Sequence, residues 1–88
     1  VYHYTLQQEI LNEQAANLIG ELITAKRSPK YSTEDKYVFT SLLGQLAEIK
    51  PTIISVGNLD DGKIGEIRGF INCAETIYSK YRMGAEDV

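Results

Sequence analysis

The sequence has 88 residues, of which 43% are hydrophobic, and a formal net charge of −3 at pH 7. This length allows one domain with a thin core, so we interpret residues 1–88 as a single domain. An acidic chain is repelled by the phosphates of a long duplex, which excludes duplex nucleic acid as the expected partner. No apolar run is long enough to cross a bilayer, so no membrane association is expected.

Cys73 is the single cysteine. An intramolecular disulfide and a cysteine-rich metal site are therefore excluded, and a reducing compartment is expected. Residues 1–4 lack the basic stretch and the apolar core of a signal peptide. The sequence thus predicts a cytoplasmic protein.

The first predicted helix spans residues 6–26. Thr5 and Gln8 have the spacing of a capping box at its start, and Pro29 follows its basic end. Its core-facing residues recur at alternating spacings of three and four, as one face of a helix requires; they are Leu11, Ala15, Leu18, Leu22 and Ala25.

The second predicted helix spans residues 33–57, with Ser32 as its N-cap. Pro51 interrupts it, because proline lacks an N–H and clashes with the carbonyl of the residue four positions earlier. The helix either kinks there or ends just before the proline and restarts with it. The unbroken apolar pattern favours a kinked continuous helix, and an extended strand over residues 52–56 is the alternative. That pattern consists of Phe39, Leu42, Leu46, Ile49, Ile53 and Val56.

The third predicted helix spans residues 61–82, is capped by Asp60, and precedes a frayed polar tail over residues 84–88. Two short connections between three apolar stripes predict an all-α, antiparallel three-helix bundle with a kinked middle helix near Pro51. Apolar residues beside the stripes predict a homo-oligomer, the alternative being a monomer that buries them itself. The third stripe consists of Ile64, Ile67, Ile71, Ala74, Tyr78 and Tyr81.

Catalytic and metal-binding patterns are absent from the sequence. His3 is the single histidine and stands at the chain end, away from any candidate nucleophile. Cys73 lies beside an apolar stripe, where packing is its expected role. The Asp60-Asp61-Gly62 run is too short for a calcium loop. We therefore expect no enzymatic activity, no metal and no cofactor.

Several glycines fall inside the predicted helices, notably Gly65 and Gly69 in the third, with Gly20 and Gly44 in the others. Each glycine destabilises a helix interior by about 0.5–1 kcal/mol relative to alanine. Close packing between helices is the expected compensation. The alternative is a ligand lying against exposed backbone.

Positive charges concentrate where the first and third helices would end side by side. Arginine binds phosphate through two hydrogen bonds and tyrosine rings stack on bases, so this end predicts a site for a small anion. The alternative is that the cations only complement helix carboxyl ends. The candidate ligand-binding residues are Tyr4, Lys26, Arg27, Lys30, Tyr31, Tyr81 and Arg82.

The layout resembles that of phage anti-CBASS sponge proteins of the helical-hairpin type. The resembling features are a long first helix over residues 12–23, the second helix bent around Pro51, and the residue types of Tyr4 and Lys26. The resemblance covers residues 5–82 in layout and rests on no motif that aligns residue by residue. It implies a homo-oligomer, a hexamer, that sequesters cyclic di- or trinucleotide signals without cleaving them.

The leading functional hypothesis is a non-enzymatic, oligomeric protein that sequesters a small anionic ligand such as a cyclic nucleotide, in the host cytoplasm if the chain is phage-encoded. The alternative is a helical protein–protein interaction module, an inhibitor or adaptor of a host protein. Enzymatic activity ranks third.

Overall fold

The computed structural model describes residues 5–54 and 60–86, which fold as three α-helices. Helix α1 spans Leu6–Arg27, α2 spans Thr33–Ile53 and α3 spans Asp61–Glu86. The predicted all-α fold is confirmed, and none of the described residues lies in a strand. None of the helices in this part of the chain is both long and apolar enough to span a bilayer.

Each helix packs against the other two, and successive helices run in opposite directions. The start of α1 meets the end of α2, where Gln8 hydrogen-bonds Ile53. The end of α1 meets the end of α3, where Ala25 and Arg82 line the same depression. Helices α1 and α3 therefore run in the same direction, side by side.

The predicted capping box begins α1. The Gln8 N–H donates to Thr5 Oγ1 at 3.2 Å, and Gln8 Oε1 accepts from the Thr5 N–H at 3.1 Å. At the other end, Ser28 takes the extended conformation that a residue before proline prefers, and its N–H donates to Ala25 O at 3.1 Å. The sequence therefore determines both ends of α1 locally.

Helix α2 begins at the predicted cap, where the Ser32 side chain accepts from the Asp35 N–H at 3.1 Å. The helix is continuous through Pro51, and the Ile54 N–H donates to Lys50 O at 3.1 Å. Of the two alternatives at the proline, the continuous helix is correct. The missing proline N–H weakens only the last turn of the helix, which limits its cost.

The predicted end of α2 at residue 57 is wrong, because the helix ends at Ile53 and Ile54 is its C-cap. Thr52, Ile53 and Ile54 are β-branched, and such residues have a lowered helix propensity. Of the strand-like residues 52–56, Thr52 and Ile53 are helical. Residues 55–59 lie outside the described part of the chain.

Helix α3 begins after Asp60, whose Oδ1 accepts from the Lys63 N–H at 2.7 Å. The predicted end at Arg82 is wrong, because the helix continues to Glu86. Residues 84–86 of the predicted frayed tail are therefore helical, and residues 87–88 lie outside the described part of the chain. Gly84 costs a helix only about 1 kcal/mol, which is too little to end it.

The three predicted stripes form the core. Burial of each large aliphatic side chain stabilises the fold by about 1.5–3 kcal/mol, so these stripes hold the helices together. The buried apolar residues are Leu11, Ala15, Leu18, Leu22, Ala25, Phe39, Leu42, Leu46, Ile53, Ile64, Ile67, Ile71, Ala74 and Tyr78.

An aromatic cluster closes the core at the end where α1 and α3 finish. The Phe39 ring makes edge-to-face contacts with Tyr31, Tyr78 and Tyr81 at centroid distances of 4.9, 5.7 and 5.7 Å. Such aromatic pairs contribute about 0.5–1.5 kcal/mol beyond their area. The cluster fixes α2 and the connection after α1 against the last turns of α3.

Gln8 is a fully buried polar residue at the opposite end of the core. Its Nε2 donates to the Ile53 carbonyl at 3.1 Å, a group that the end of α2 leaves without a helical partner. Its Oε1 completes the capping box with Thr5. One side chain thus joins the start of α1 to the end of α2.

The expectation that the helical glycines permit close packing is wrong for this chain. A Cβ atom built at Gly20, Gly44, Gly65 or Gly69 meets nothing within 4 Å. These glycines lie on the outward faces of the helices. Their conformational cost therefore has no compensation within the described residues.

Replacing Gln8 by leucine should lower the free energy of unfolding by about 1–3 kcal/mol, because the Ile53 carbonyl would be left buried and without that donor. Urea denaturation followed by circular dichroism measures the change. Gln7→Leu, an exposed position beside it, is the matched control and should change stability by less than about 0.5 kcal/mol. Equal effects of the two substitutions would contradict this role of Gln8.

Replacing Gly44 by alanine should raise the free energy of unfolding by about 0.5–1 kcal/mol, because the new methyl group enters open space and the helix gains propensity. The shift in thermal midpoint measures it. Gly62→Ala is the contrast, since its Cβ would stand 3.3 Å from Asp60 Oδ1. If Gly62→Ala raised the free energy of unfolding as much as Gly44→Ala, the open space around Gly44 would not be the cause of the stabilisation.

Candidate functional site

Part of the predicted cationic end comes together. Lys30, Tyr31 and Arg82 line one depression of about 220 Å³ at the end of the bundle. The Arg82 guanidinium carbon lies 5.9 Å from the centroid of the Tyr78 ring, which is a cation–π contact. The depression is completed by Thr24, Ala25, Ser28, Tyr78 and Ala85.

The other candidate residues lie elsewhere. Lys26 and Arg27 are exposed in the last turn of α1, where they complement the negative end of the helix, and neither lines this depression. Tyr81 packs edge-to-face on Phe39 and serves the core. Tyr4 lies outside the described residues.

The depression continues along the bundle between α1 and α3. A second hollow of about 230 Å³ adjoins it, and a third of about 500 Å³ follows on the outer side of α1. Tyr78 lines all three, so we name them together the α1–α3 groove. Besides the residues above, its walls include Ala16, Asn17, Leu18, Gly20 and Glu21 from α1, and Glu75 and Ser79 from α3.

Tyr78 is the central side chain of the groove and is 7% exposed. Burial raises its pKa above the ordinary value of 10.0, and Tyr31 and Glu21 raise it further, whereas Arg82 lowers it. The phenol therefore stays protonated at neutral pH. Its hydroxyl group takes part in a side-chain hydrogen bond with Tyr31.

The groove carries charges of both signs. Glu21 and Glu75 line the middle hollow together with Arg82, which also lines the end depression with Lys30. Within residues 5–54 and 60–86, none of these four charges forms a salt bridge. The groove therefore presents acidic and basic side chains next to each other.

Sequence reasoning missed this groove, although one signal was available. Ala16, Gly20 and Thr24 recur at intervals of four on the side of α1 opposite its apolar stripe. Small residues on an outward face leave an open surface along that side of the helix. The glycine was instead interpreted as a packing contact inside the bundle.

The composition of the groove is mixed. Its arginine is of a type enriched at protein interfaces, whereas the glutamate, lysine, serine and alanine residues that also line it are of types depleted there. Among the described residues, no three histidine, cysteine, aspartate or glutamate side chains converge as metal ligands. Cys73 is exposed, and His3 lies outside the described residues.

The stability contributed by Tyr78 should depend on pH. Its raised pKa means that the folded state holds the proton more tightly, so this contribution is complete below about pH 10 and is lost as the pH rises through the folded-state pKa. Urea midpoints measured between about pH 9 and about pH 12 should fall more steeply for the wild type than for Tyr78→Phe. Tyr37→Phe, at a tyrosine that is 72% exposed, should keep the wild-type slope; parallel curves for all three proteins would refute the assignment.

Comparison with known proteins identifies one family. The profile of the family described as Bacterial epsilon antitoxin matches residues 1–81. No curated protein and no solved structure gives a significant match. The matched region includes all of α1 and α2 and most of α3.

This match overturns the resemblance to phage anti-CBASS sponges. The match contradicts sequestration of cyclic di- or trinucleotides, a small anionic ligand as the partner, and a phage origin. The hexamer was implied only by that resemblance and loses its support. The resemblance rested on layout, which unrelated helical bundles share. The groove gives a physical reason as well, since Glu21 and Glu75 beside Arg82 would repel an anionic ligand. The alternative, a helical protein–protein interaction module, is the one favoured.

Proposed function

The chain belongs to the bacterial epsilon antitoxin family, and on this basis we propose that it neutralises a protein toxin by binding it directly. The observation that carries the proposal is the family match over residues 1–81. The chain then acts as an inhibitor without catalytic chemistry of its own. Its compartment is the cytoplasm, where a toxin made in the same cell must be held inactive.

The exposed surface of α1 supports a role in protein binding. Leu6 and Ile10 stand one helical turn apart and expose 70% and 46% of their surface. The outer side of the same helix lines the α1–α3 groove. Exposed apolar groups next to a polar groove are the usual combination of anchor and rim in an interface.

The size of the chain is sufficient for such an interface. A stable complex of standard size buries about 800 Å² on each partner, and the chain has 5853 Å² of accessible surface. Inhibition of this kind makes and breaks no covalent bond. Each antitoxin therefore inactivates only the toxin that it occupies, and inhibition follows the molar ratio of the two proteins.

Co-expression with the cognate toxin should test the proposal. We expect the chain to restore growth to cells arrested by that toxin, and tagged toxin to retain the chain at a fixed molar ratio, measured by native mass spectrometry. The recovered toxin should keep its unmodified mass, because binding alone inhibits it.

Surface variants supply the control. The pair Leu6→Asp and Ile10→Asp should weaken retention by the toxin, since charges would replace two apolar anchors, while helicity stays unchanged. Met83→Asp introduces the same charge at an α3 residue that is 58% exposed and should be retained like the wild type. Rescue of growth by substoichiometric chain, or recovery of a covalently altered toxin, would exclude inhibition by occupancy.

A further inference from the structure

The first turn of α1 is tied to the end of α2 by the side chain of Gln8. Of residues 6–10, Gln8 alone is buried, and the next buried residue along the helix is Leu11. Resting on the proposed function, we infer that Gln8 is a positioning residue for toxin binding. Its hydrogen bond to α2 holds the exposed side chains of Leu6 and Ile10 in the arrangement that the toxin binds.

Gln8 points into the bundle, whereas Leu6 and Ile10 point outward. Residues two positions apart in a helix are separated by about 200° around its axis, so these two side chains stand on the side opposite to Gln8. Leu6 is 70% exposed and Ile10 is 46% exposed, whereas Gln8 is 0% exposed. Neither apolar side chain is therefore buried in the core, and Gln8 can act on a toxin only through its neighbours.

The Gln8 amide group bonds in two directions. Its Oε1 accepts from the Thr5 N–H at 3.1 Å, within the capping box. In the same turn the Glu9 N–H donates to Thr5 O at 3.1 Å. The Gln8 Nε2 donates to the Ile53 carbonyl at 3.1 Å. The cap thus closes the first turn, and the Nε2 bond connects that closed turn to another helix.

A link of this kind controls how often the first turn is formed. The first four N–H groups of a helix have no helical acceptors, and terminal turns open at little cost in free energy. When a binding surface is formed only part of the time, the apparent affinity falls by the fraction that is formed. The bond from Gln8 to Ile53 is buried, so its loss lowers that fraction. Toxin affinity therefore depends on the end of α2, through α1.

Gln8→Glu separates the two bonds. A carboxylate still accepts from the Thr5 N–H in a capping box, but it offers no donor to the Ile53 carbonyl. We expect this variant to bind the cognate toxin, the protein whose growth arrest the chain relieves, at least about ten-fold more weakly than the wild type. Calorimetry measures the affinity. Gln8→Met, which has a similar size and no charge, is a second variant that removes the same donor and should be weakened likewise.

Phe39→Leu is the matched control. It loosens the aromatic cluster at the opposite end of the core and lowers stability without changing the first turn of α1. Urea midpoints show whether its loss of stability equals that of the Gln8 variants. We expect it to bind the toxin as the wild type does.

Hydrogen exchange of the free chain reports on the first turn directly. The amide protons of positions 8 and 9 donate to Thr5, so their exchange follows the opening of that turn. It should accelerate at least about five-fold in both Gln8 variants and keep the wild-type rate in Phe39→Leu, because terminal turns open locally and independently of global unfolding.

The outcomes separate this inference from the proposed function. Wild-type affinity of both Gln8 variants, or an equal loss of affinity in Phe39→Leu, would overturn the positioning role while the antitoxin role stands. Unchanged exchange at positions 8 and 9 in Gln8→Met would overturn it as well. Failure of the wild-type chain to bind the toxin would overturn both.

Discussion

The mutual burial of one apolar stripe from each helix is the constraint on which the rest of the structure depends. Each stripe is narrow, so a single face of each helix enters the core, and the outward faces carry polar and small residues together with a few large apolar ones. With short connections between them, the stripes can meet only if successive helices alternate in direction. That alternation places α1 beside α3 in the same direction, and the groove between them follows from it.

Gln8 and Tyr78 are polar side chains at opposite ends of the core, and they differ in what they contact. Gln8 is fully buried and satisfied, and it joins the start of α1 to the end of α2 through the Ile53 carbonyl. Tyr78 is nearly buried beneath the groove, where its ring contacts Phe39 and the guanidinium group of Arg82. One end of the bundle is thus held by an internal hydrogen bond, and the other by a cluster of aromatic rings with Arg82 beside it.

The sequence predicted that its cationic residues bind a small anion. The charges that surround those residues in the folded chain explain why that function is wrong. Considered alone, Lys30 and Arg82 suit a phosphate group. In the folded chain, Glu21 and Glu75 line the same hollow as Arg82, and carboxylates at that place disfavour a polyanion. Membership of the bacterial epsilon antitoxin family agrees with that conclusion, because the family implies a protein partner.

The sequence by itself determined the helices, their caps at Thr5 and Ser32, and the buried stripes, because helical periodicity and capping are interactions between residues close in the chain. The role of Gln8 as a link between helices and the exposure of Gly20 were decided by tertiary structure. Each depends on which surfaces of distant segments meet, and a contact across helices leaves no periodic trace in one segment. The groove belongs to this second class, since α1 and α3 contribute its opposite walls.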